Sequence, residues 1–181
     1  PKDTPLRKIE SVGVIGAGTM GGGIAMNFVM AGIPVNLLEI NQGALDSGLS
    51  VIRGNFERSA RKGRFTAEQV EGFMGLIRGT TTYDDFEEVD LVIEAVFEDV
   101  KIKADVTAKT EAVVPESCIF ASNTSTLPIT GLAKASERPE QFIGLHFFSP
   151  VDKMPLVEII LGEKTNEETI ARSLDYIQQI R

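Results

Sequence analysis

Short apolar runs alternate along this chain with longer stretches in which apolar residues recur at helical spacing. Strands are predicted at 11–15, 34–39, 90–95, 117–122, 141–146 and 156–161. Helices are predicted at 19–31, 43–62, 66–75, 99–113, 127–135 and 166–181. Strands that alternate with helices are typical of an α/β fold with a mainly parallel sheet covered on both faces.

Local signals place several helix starts. Thr66 with Gln69, and Thr165 with Glu168, have the spacing of a capping box, in which the side chains at the two ends of the first turn bond each other's backbone N–H groups. Pro128 is typical of a first helical turn, because it has no N–H group to leave unsatisfied.

The two ends of the chain indicate a longer polypeptide. Residues 1–8 resemble a linker, although loss of an initiator Met would look the same, and residues 9–181 form the predicted domain. The last helix carries an apolar stripe that runs to Arg181 without a Gly or Pro stop signal. We therefore expect a piece excised from a larger protein.

The glycine loop after the first predicted strand is the strongest functional signal. Gly16, Gly18 and Gly21 have the G-x-G-x-x-G spacing between a strand and a helix. In a dinucleotide site the first glycine permits the turn, the second lets the pyrophosphate approach the backbone, and the third allows close helix packing. The helix N-terminus then faces the anion. The alternative is a glycine-rich turn that binds nothing.

An acid after the second predicted strand narrows the prediction to NAD. Glu39 lies 23 positions after Gly16, near the spacing of about 20 at which an acid holds the adenosine ribose. Its carboxylate would accept hydrogen bonds from the 2′-hydroxyl and repel a 2′-phosphate. No Arg or Lys follows before Arg53, which favours NAD over NADP.

Composition excludes several classes of protein. The chain has 181 residues, 43% of them hydrophobic, which is enough for one globular core, and no apolar run is long enough to span a membrane. The net charge of −8 argues against a nucleic-acid partner. The one cysteine, Cys118, lies in an apolar run and is predicted to be buried in a protein of a reducing compartment.

Residues 53–64 are basic in an otherwise acidic chain. They carry Arg53, Arg58, Arg61, Lys62 and Arg64 against one acid in the same stretch. The charge pattern alone favours a solvated helix face over a site for an anionic ligand.

Polar side chains follow two later strands, where an open parallel sheet binds its ligands. The first group is at 122–126, and the second is at 146–150 and contains His146, the only histidine. An imidazole is suited to proton exchange with an alcohol near neutral pH. Glu158 sits inside an apolar strand, and since a buried carboxylate needs a partner, a His146–Glu158 pair is one candidate.

Two interpretations of these residues stay open. His146 is either a catalytic base or a hydrogen-bonded structural residue, in which case Glu158 would pair with a lysine such as Lys153. One histidine and one cysteine make no ligand cluster, so no metal site is predicted.

Four motifs make the chain recognisable. They are GAGTMGGGIA at 16–25, SNTSTL at 122–127, GLHFFSP at 144–150 and LVE at 156–158, with EAVFEDVKIK at 94–103 as a further similarity. In this order they resemble the L-3-hydroxyacyl-CoA dehydrogenase family over residues 8–181. The resemblance implies a Rossmann-type, doubly wound fold and NAD as cofactor.

The resemblance also implies a reaction: oxidation of L-3-hydroxyacyl-CoA by NAD to 3-ketoacyl-CoA in fatty-acid β-oxidation. His146 matches the catalytic base, Glu158 the acid that orients it, and Ser125 the serine that hydrogen-bonds the reacting oxygen. The implied cofactor-binding residues are Gly16, Gly18, Thr19, Met20, Gly21, Glu39, Glu98, Lys103 and Asn123. The implied CoA contacts are Asn55, Lys62, Lys103 and Ser125.

Two positions depart from the family pattern: Glu39 is usually Asp, and Asn55 is often Ser. With this resemblance, binding of the phosphate groups of CoA explains the basic residues at 53–64 better than a solvated helix face does. Family members continue into a helical C-terminal domain for substrate and dimerisation, which this chain lacks, so we expect residues 1–181 alone to bind NAD(H) and to turn over poorly.

The resemblance implies partners and a location as well. The Pro-rich leader looks like the join in multifunctional fatty-acid oxidation proteins, where a hydratase/isomerase domain precedes and a thiolase is a partner. A bacterial-like cytoplasmic location is expected, with mitochondria and peroxisomes as alternatives. The rival interpretations are a β-hydroxyacid dehydrogenase of the 3-hydroxyisobutyrate type and a non-catalytic NAD-binding relative.

Overall fold

The computed structural model describes residues 10–148 and 156–180. Within them the chain forms a seven-stranded sheet with helices on both faces. The strands are β1 (Val12–Ile15), β2 (Val35–Leu38), β3 (Ile77–Thr80), β4 (Leu91–Glu94), β5 (Ile119–Ser122), β6 (Phe142–Phe147) and β7 (Val157–Leu161). The helices are α1 (Thr19–Met30), α2 (Gln42–Arg61), α3 (Ala67–Gly75), α4 (Val100–Glu111), α5 (Ile129–Leu132) and α6 (Glu167–Gln179). The predicted linker at 1–8, Lys153 and Arg181 lie outside the described residues.

The strand order is β3-β2-β1-β4-β5-β6-β7. All neighbouring pairs are parallel except β6 and β7, which are antiparallel. From β1 the chain winds outward to β3 on one side and then crosses back to β4 and continues on the other. This is the doubly wound order that was predicted, and it opens a crevice beyond the carboxyl ends of β1 and β4.

Two apolar cores cover the faces of the sheet. One contains buried residues of α1, α2, α3 and α6, and the other contains those of α4, α5 and a 3₁₀ turn at Tyr83–Phe86. Strand β6 contributes Ile143, Leu145 and Phe147 to the first core and Phe142 to the second. Because side chains alternate along a strand, His146 points to the same side as Phe142.

Strand β3 is the element that the sequence pattern missed. It is a four-residue edge strand with Arg78 exposed and paired with Asp85 at 3.0 Å. Gly79 lets two leucines of α2 pack against the strand, since a Cβ there would lie 3.1 Å from Leu45 and Leu49. A short edge strand with a charge and a glycine has no apolar alternation to reveal it.

One of the two predicted capping boxes is confirmed and the other is wrong. Thr66 and Gln69 form the reciprocal box at the start of α3. At α6 the N-cap is Asn166, which accepts from the Thr169 N–H group at 2.8 Å. Thr165 instead donates to the carbonyl of Phe142 at 2.9 Å, because this threonine lies beside the sheet. The helix predicted at 127–135 is shorter than expected, with α5 running into a 3₁₀ turn at Ala133–Ala135.

Candidate active site and cofactor-binding loop

The turn between β1 and α1 is built on two glycines that no other residue could replace. Gly16 has φ of +103°, and a Cβ there would lie 2.6 Å from the carbonyl oxygen of Ala95. A Cβ on Gly21 would lie 1.8 Å from the carbonyl oxygen of Gly16. The first turn of α1 therefore packs directly on the loop.

The second glycine of the motif, Gly18, faces open space. No heavy atom lies within 4 Å of a Cβ built on Gly18, which is the N-cap of α1 and has no side chain to cap the helix. The first-turn N–H groups of α1 are thus left for a ligand, and the helix dipole favours an anion there.

Glu39 reaches back from the end of β2 to the glycine loop. Its Oε2 accepts from the Ala17 N–H group at 2.8 Å, and its Oε1 accepts from the Ile40 N–H group at 2.8 Å. Each carboxylate oxygen has a second lone pair for a hydroxyl donor. An open anion cradle beside a fixed carboxylate fits a dinucleotide whose adenosine ribose carries no 2′-phosphate.

A cleft of about 330 Å³ lies next to this loop. Its lining residues are Met20, Ala95, Val96, Glu98, Asn123, Ser125, His146, Phe147 and Phe148. The first turn of α1 and the ends of β4, β5 and β6 thus contribute to one site. It brings together five residues predicted from sequence, namely Met20, Glu98, Asn123, Ser125 and His146. The other nine predicted residues are not among those that line it, namely Gly16, Gly18, Thr19, Gly21, Glu39, Asn55, Lys62, Lys103 and Glu158.

His146 and Glu158 face each other across two strands. They are register partners in the β6–β7 pair, so the two side chains share one face of the sheet with Cβ atoms roughly 5 Å apart. The structure shows no hydrogen bond between these two described residues, and the His146 ring instead packs on Phe148, with centroids 4.5 Å apart. Glu158 is exposed, because β7 is an edge strand of the described sheet. The argument that burial forces Glu158 to find a partner is therefore wrong.

Asn123 holds the ends of three strands together. The side-chain Oδ1 of Asn123 accepts from the Phe147 N–H group at 2.9 Å, and the backbone N–H group of Asn123 donates to the carbonyl of Glu94 at 2.8 Å. Since Oδ1 already accepts one hydrogen bond, this side chain offers a ligand its Nδ2 group and the second lone pair of Oδ1.

A buried ion pair lies behind the cleft. The Lys103 ammonium is 2.6 Å from Oε2 of Glu94 and 3.3 Å from Oε1 of Glu98. The side chains of Lys103 and Glu94 are only 2% and 1% exposed, and Ser122 donates to Oε1 of Glu94 at 2.7 Å. Burial raises the pKa of Glu94, while the Lys103 charge opposes that rise.

The position of Lys103 corrects one prediction. A direct contact with NAD or CoA does not fit a side chain that is only 2% exposed, lies behind the cleft lining and has its ammonium beside Glu94 and Glu98. Glu98 does reach the cleft and accepts from the hydroxyls of Thr124 at 2.7 Å and Thr126 at 3.0 Å. These bonds join the loop after β4 to the loop that carries Ser125.

The basic stretch is divided between ion pairs and exposed charge. Arg53 pairs with Glu71 at 2.6 Å, and Arg64 lies over the ring of Phe65, 5.0 Å from its centroid. Lys62 is exposed at the end of α2, and Asn55 contacts Met26 of α1 through its Nδ2 group at 3.9 Å. The seven-residue spacing of Asn55 and Lys62 places both on one side of α2.

Sequence reasoning missed two residues that shape this site. Glu94 ends an apolar strand, and that acid in a buried run was the available signal. Gly48 of α2 had no signal; a Cβ there would lie 2.4 Å from the Cβ of Ala17, so α2 sits directly on the glycine loop.

In the part of the chain that the structure describes, no group of three or more His, Cys, Asp or Glu residues is arranged to hold a metal ion. No helix among the same residues is long and apolar enough to cross a membrane.

The fold and the glycine loop define a dinucleotide-binding domain of the dehydrogenase class. Residues 11–181 match the family described as 3-hydroxyacyl-CoA dehydrogenase, NAD binding domain, and the chain belongs to that family. The prediction of NAD as cofactor is confirmed by this match.

Curated relatives and solved structures agree with the family. The chain is 44% identical over 178 residues to the fatty acid oxidation complex subunit alpha of Pseudomonas savastanoi, which covers 98% of this chain and 25% of that protein. The same subunit of Acinetobacter baylyi is 45% identical over 172 residues, which covers 95% of this chain and 24% of that protein. The structure of (S)-3-hydroxybutyryl-CoA dehydrogenase from Ralstonia eutropha superposes with a TM-score of 0.93 at 37% identity, covering 96% of this chain and 61% of that one. The chain thus spans about a quarter of the length of the curated relatives it matches.

Proposed function

We propose that the protein containing this chain oxidises L-3-hydroxyacyl-CoA to 3-ketoacyl-CoA with NAD, as a step of fatty-acid β-oxidation. The observation that carries the proposal is the cleft in which Ser125 and His146 stand beside Met20, one turn from the anion cradle of the glycine loop. The names of the relatives support the same substrate class.

In this proposal each loop of the site has one task. The open amides after Gly18 hold the pyrophosphate, and Glu39 binds the hydroxyls of the adenosine ribose. Thr19, Met20 and Gly21 supply the first turn of α1. Glu98 and the Nδ2 group of Asn123 face the cleft from the other side.

The proposed chemistry uses two residues of the cleft. An imidazole nitrogen of His146 takes the proton of the substrate 3-hydroxyl, and Ser125 donates a hydrogen bond to the same oxygen as it becomes a ketone. NAD, when bound, supplies the acceptor for the hydride that leaves C3. Glu158, which lies across from His146 on the same sheet face, orients the imidazole and stabilises its cationic form.

The CoA portion is assigned to α2 and the cleft mouth. Lys62 is an exposed cation at the end of α2, and Asn55 lies two turns before it on the same side. We assign the phosphate-bearing part of CoA to this side and the thioester end to Ser125. Lys103 contributes through its ion pairs rather than by contact.

The wider setting is part of the proposal. The curated relatives are subunits of fatty acid oxidation complexes and are much longer than this chain. We propose that a helical domain for substrate and dimerisation, a hydratase/isomerase domain and a thiolase partner complete the machinery, in a bacterial-like cytoplasm. Residues 9–181 then act as the NAD-binding unit.

The test is His146→Gln in the complete protein. We expect the rate of acetoacetyl-CoA reduction, followed by NADH absorbance at 340 nm, to fall roughly 10²–10⁴-fold, or about 3–5 kcal/mol of transition-state stabilisation. The dissociation constant of NADH should change by less than about twofold, because the glycine loop is untouched. A variant that keeps its rate would assign His146 a structural role, and a protein inactive on every CoA thioester would favour the hydroxyacid dehydrogenase alternative.

A further inference from the structure

The ion cluster behind the cleft is unevenly arranged. Two carboxylates, Glu94 and Glu98, compete for one ammonium, that of Lys103. The nearer contact, 2.6 Å, is to Glu94, and both members of that pair are buried. The longer contact, 3.3 Å, is to Glu98, whose side chain is 38% exposed and lines the cleft.

Burial makes the pairing of Glu94 with Lys103 the dominant one. A carboxylate removed from water must be compensated, whereas an exposed one is stabilised by solvent. Glu94 also accepts from the Ser122 hydroxyl at 2.7 Å and from the Val96 N–H group at 3.2 Å, so with the Lys103 ammonium it has three donors. The ammonium charge is therefore largely taken up by Glu94.

Glu98 is left with neutral donors for most of its compensation. The hydroxyls of Thr124 and Thr126 both bond its Oε2 and fix its position, but they add no charge. The cluster as a whole carries one excess negative charge, and that charge is located at the wall of the cleft. His146 and Ser125 line the same cleft, so the charge lies near the place where the proposed reaction occurs.

We propose that Glu94 takes up most of the Lys103 charge, so that Glu98 remains a carboxylate whose charge is only partly compensated at the cleft, and that this charge favours the oxidised cofactor over the reduced one. The nicotinamide ring is cationic in NAD⁺ and neutral in NADH, so a nearby negative charge raises affinity for the first only. Glu98 is then a specificity residue for the redox form, and Glu94 is a positioning residue that acts through Lys103. The inference rests on the proposed function, which puts the nicotinamide end in this cleft.

The experiment compares dissociation constants, not rates. NAD⁺, NADH and ADP-ribose are titrated by calorimetry into the wild-type protein and into Glu98→Gln, Glu94→Gln and, as a matched control, the exposed Glu87→Gln. Glutamine keeps the size of the side chain and an oxygen for the two threonine hydroxyls. ADP-ribose lacks the nicotinamide and therefore reports whether the glycine loop is intact.

In Glu98→Gln the ratio of the NAD⁺ to the NADH dissociation constant should rise severalfold, because the variant removes the negative charge that would attract the cationic ring. Glu94→Gln should move the ratio in the same direction by a smaller factor, because the freed Lys103 ammonium neutralises Glu98. The Glu87→Gln control should leave the ratio unchanged.

The outcomes separate this inference from the proposed function. If Glu98→Gln weakens the binding of NAD⁺ and NADH equally, or leaves the ratio of their dissociation constants unchanged, the inference is overturned while the cofactor site stays in place. Loss of ADP-ribose binding as well as altered affinity for both nicotinamide forms shows a structural role for the cluster and also overturns it. A wild-type protein that binds none of the three ligands refutes the proposed function itself.

Discussion

Replacement of Gly48 by alanine tests how α2 and the glycine loop are joined. A Cβ at this position would lie 2.4 Å from the Cβ of Ala17 and 2.6 Å from its carbonyl oxygen. Two carbons are in favourable contact at about 3.5–4.0 Å, so the loop or the helix must move by roughly 1 Å. Glu39 also accepts from the Ala17 N–H group at 2.8 Å, so a shift of Ala17 would disturb the proposed site for the adenosine ribose.

The magnitude follows from two opposing effects. Alanine in a helix is favoured over glycine by about 1 kcal/mol, while overpacking against the backbone of a rigid loop costs about 1–3 kcal/mol and occasionally more. The contact of 2.4 Å places the overpacking cost in the upper part of this range, so we expect Gly48→Ala to lower the free energy of unfolding by up to about 2 kcal/mol. The dissociation constant of NADH should rise about five- to tenfold, as when a hydrogen bond to a charged group is weakened.

The same helix offers a matched control. Gly54 is also in α2, and a Cβ there would meet no heavy atom within 4 Å. Gly54→Ala should therefore raise the free energy of unfolding by about 0.5–1 kcal/mol and leave NADH affinity unchanged. Urea unfolding followed by circular dichroism and fluorescence titration of NADH measure both quantities. If Gly48→Ala proved as stable as Gly54→Ala and bound NADH as tightly as wild type, α2 would not be seated on the loop.

Two further predictions concern titrating groups. Burial raises the pKa of the Cys118 thiol to about 12. We therefore expect a thiol reagent at pH 8 to modify the native protein at least about 100-fold more slowly than the urea-unfolded protein. Equal rates of modification would contradict the burial of Cys118. Burial alone would raise the pKa of Glu98, but the bonds from Thr124, Thr126 and Lys103 hold this pKa below its usual value of 4.5. The contribution of the Glu98 carboxylate to stability is therefore complete above about pH 5 and is lost as the pH falls below that range. The difference in free energy of unfolding between wild type and Glu98→Gln should accordingly shrink between about pH 5 and pH 3 in urea titrations, and a difference that grows would refute the assignment.

Most of the fold followed from local pattern because each central strand is buried on both faces and so reads as an apolar run. The run before Gly16 and the run before Glu39 predicted β1 and β2 together with the turn and the ribose acid, since all three are close in sequence. Strand β3 was not predicted because an edge strand is partly exposed to solvent and needs no apolar run. The Thr165 capping box failed because a contact with β6, distant in sequence, uses that hydroxyl instead.

The rule that a buried acid needs a partner shows what a local sequence pattern cannot predict, namely which acids are buried. Applied to Glu158 it was wrong, because an acid in an apolar run is buried only if its strand lies inside the sheet, and β7 lies at the edge of the described sheet. The same rule holds for Glu94, whose strand is central and whose partners Lys103 and Ser122 come from α4 and β5. Strand order decides which acid is buried, and strand order is not encoded in a local run.

The sequence by itself determined the family and the cofactor and supplied the candidates for the chemistry, because glycine spacing, a predicted ribose acid and the motifs around Ser125 and His146 are short and contiguous. Only the tertiary structure decided how those residues act on one another. It enclosed Lys103 between two carboxylates, set Gly48 against the glycine loop and placed His146 across from an exposed Glu158. The physical reason is that charge compensation and close packing depend on distance and burial, and both are set by elements that meet only when the sheet is assembled.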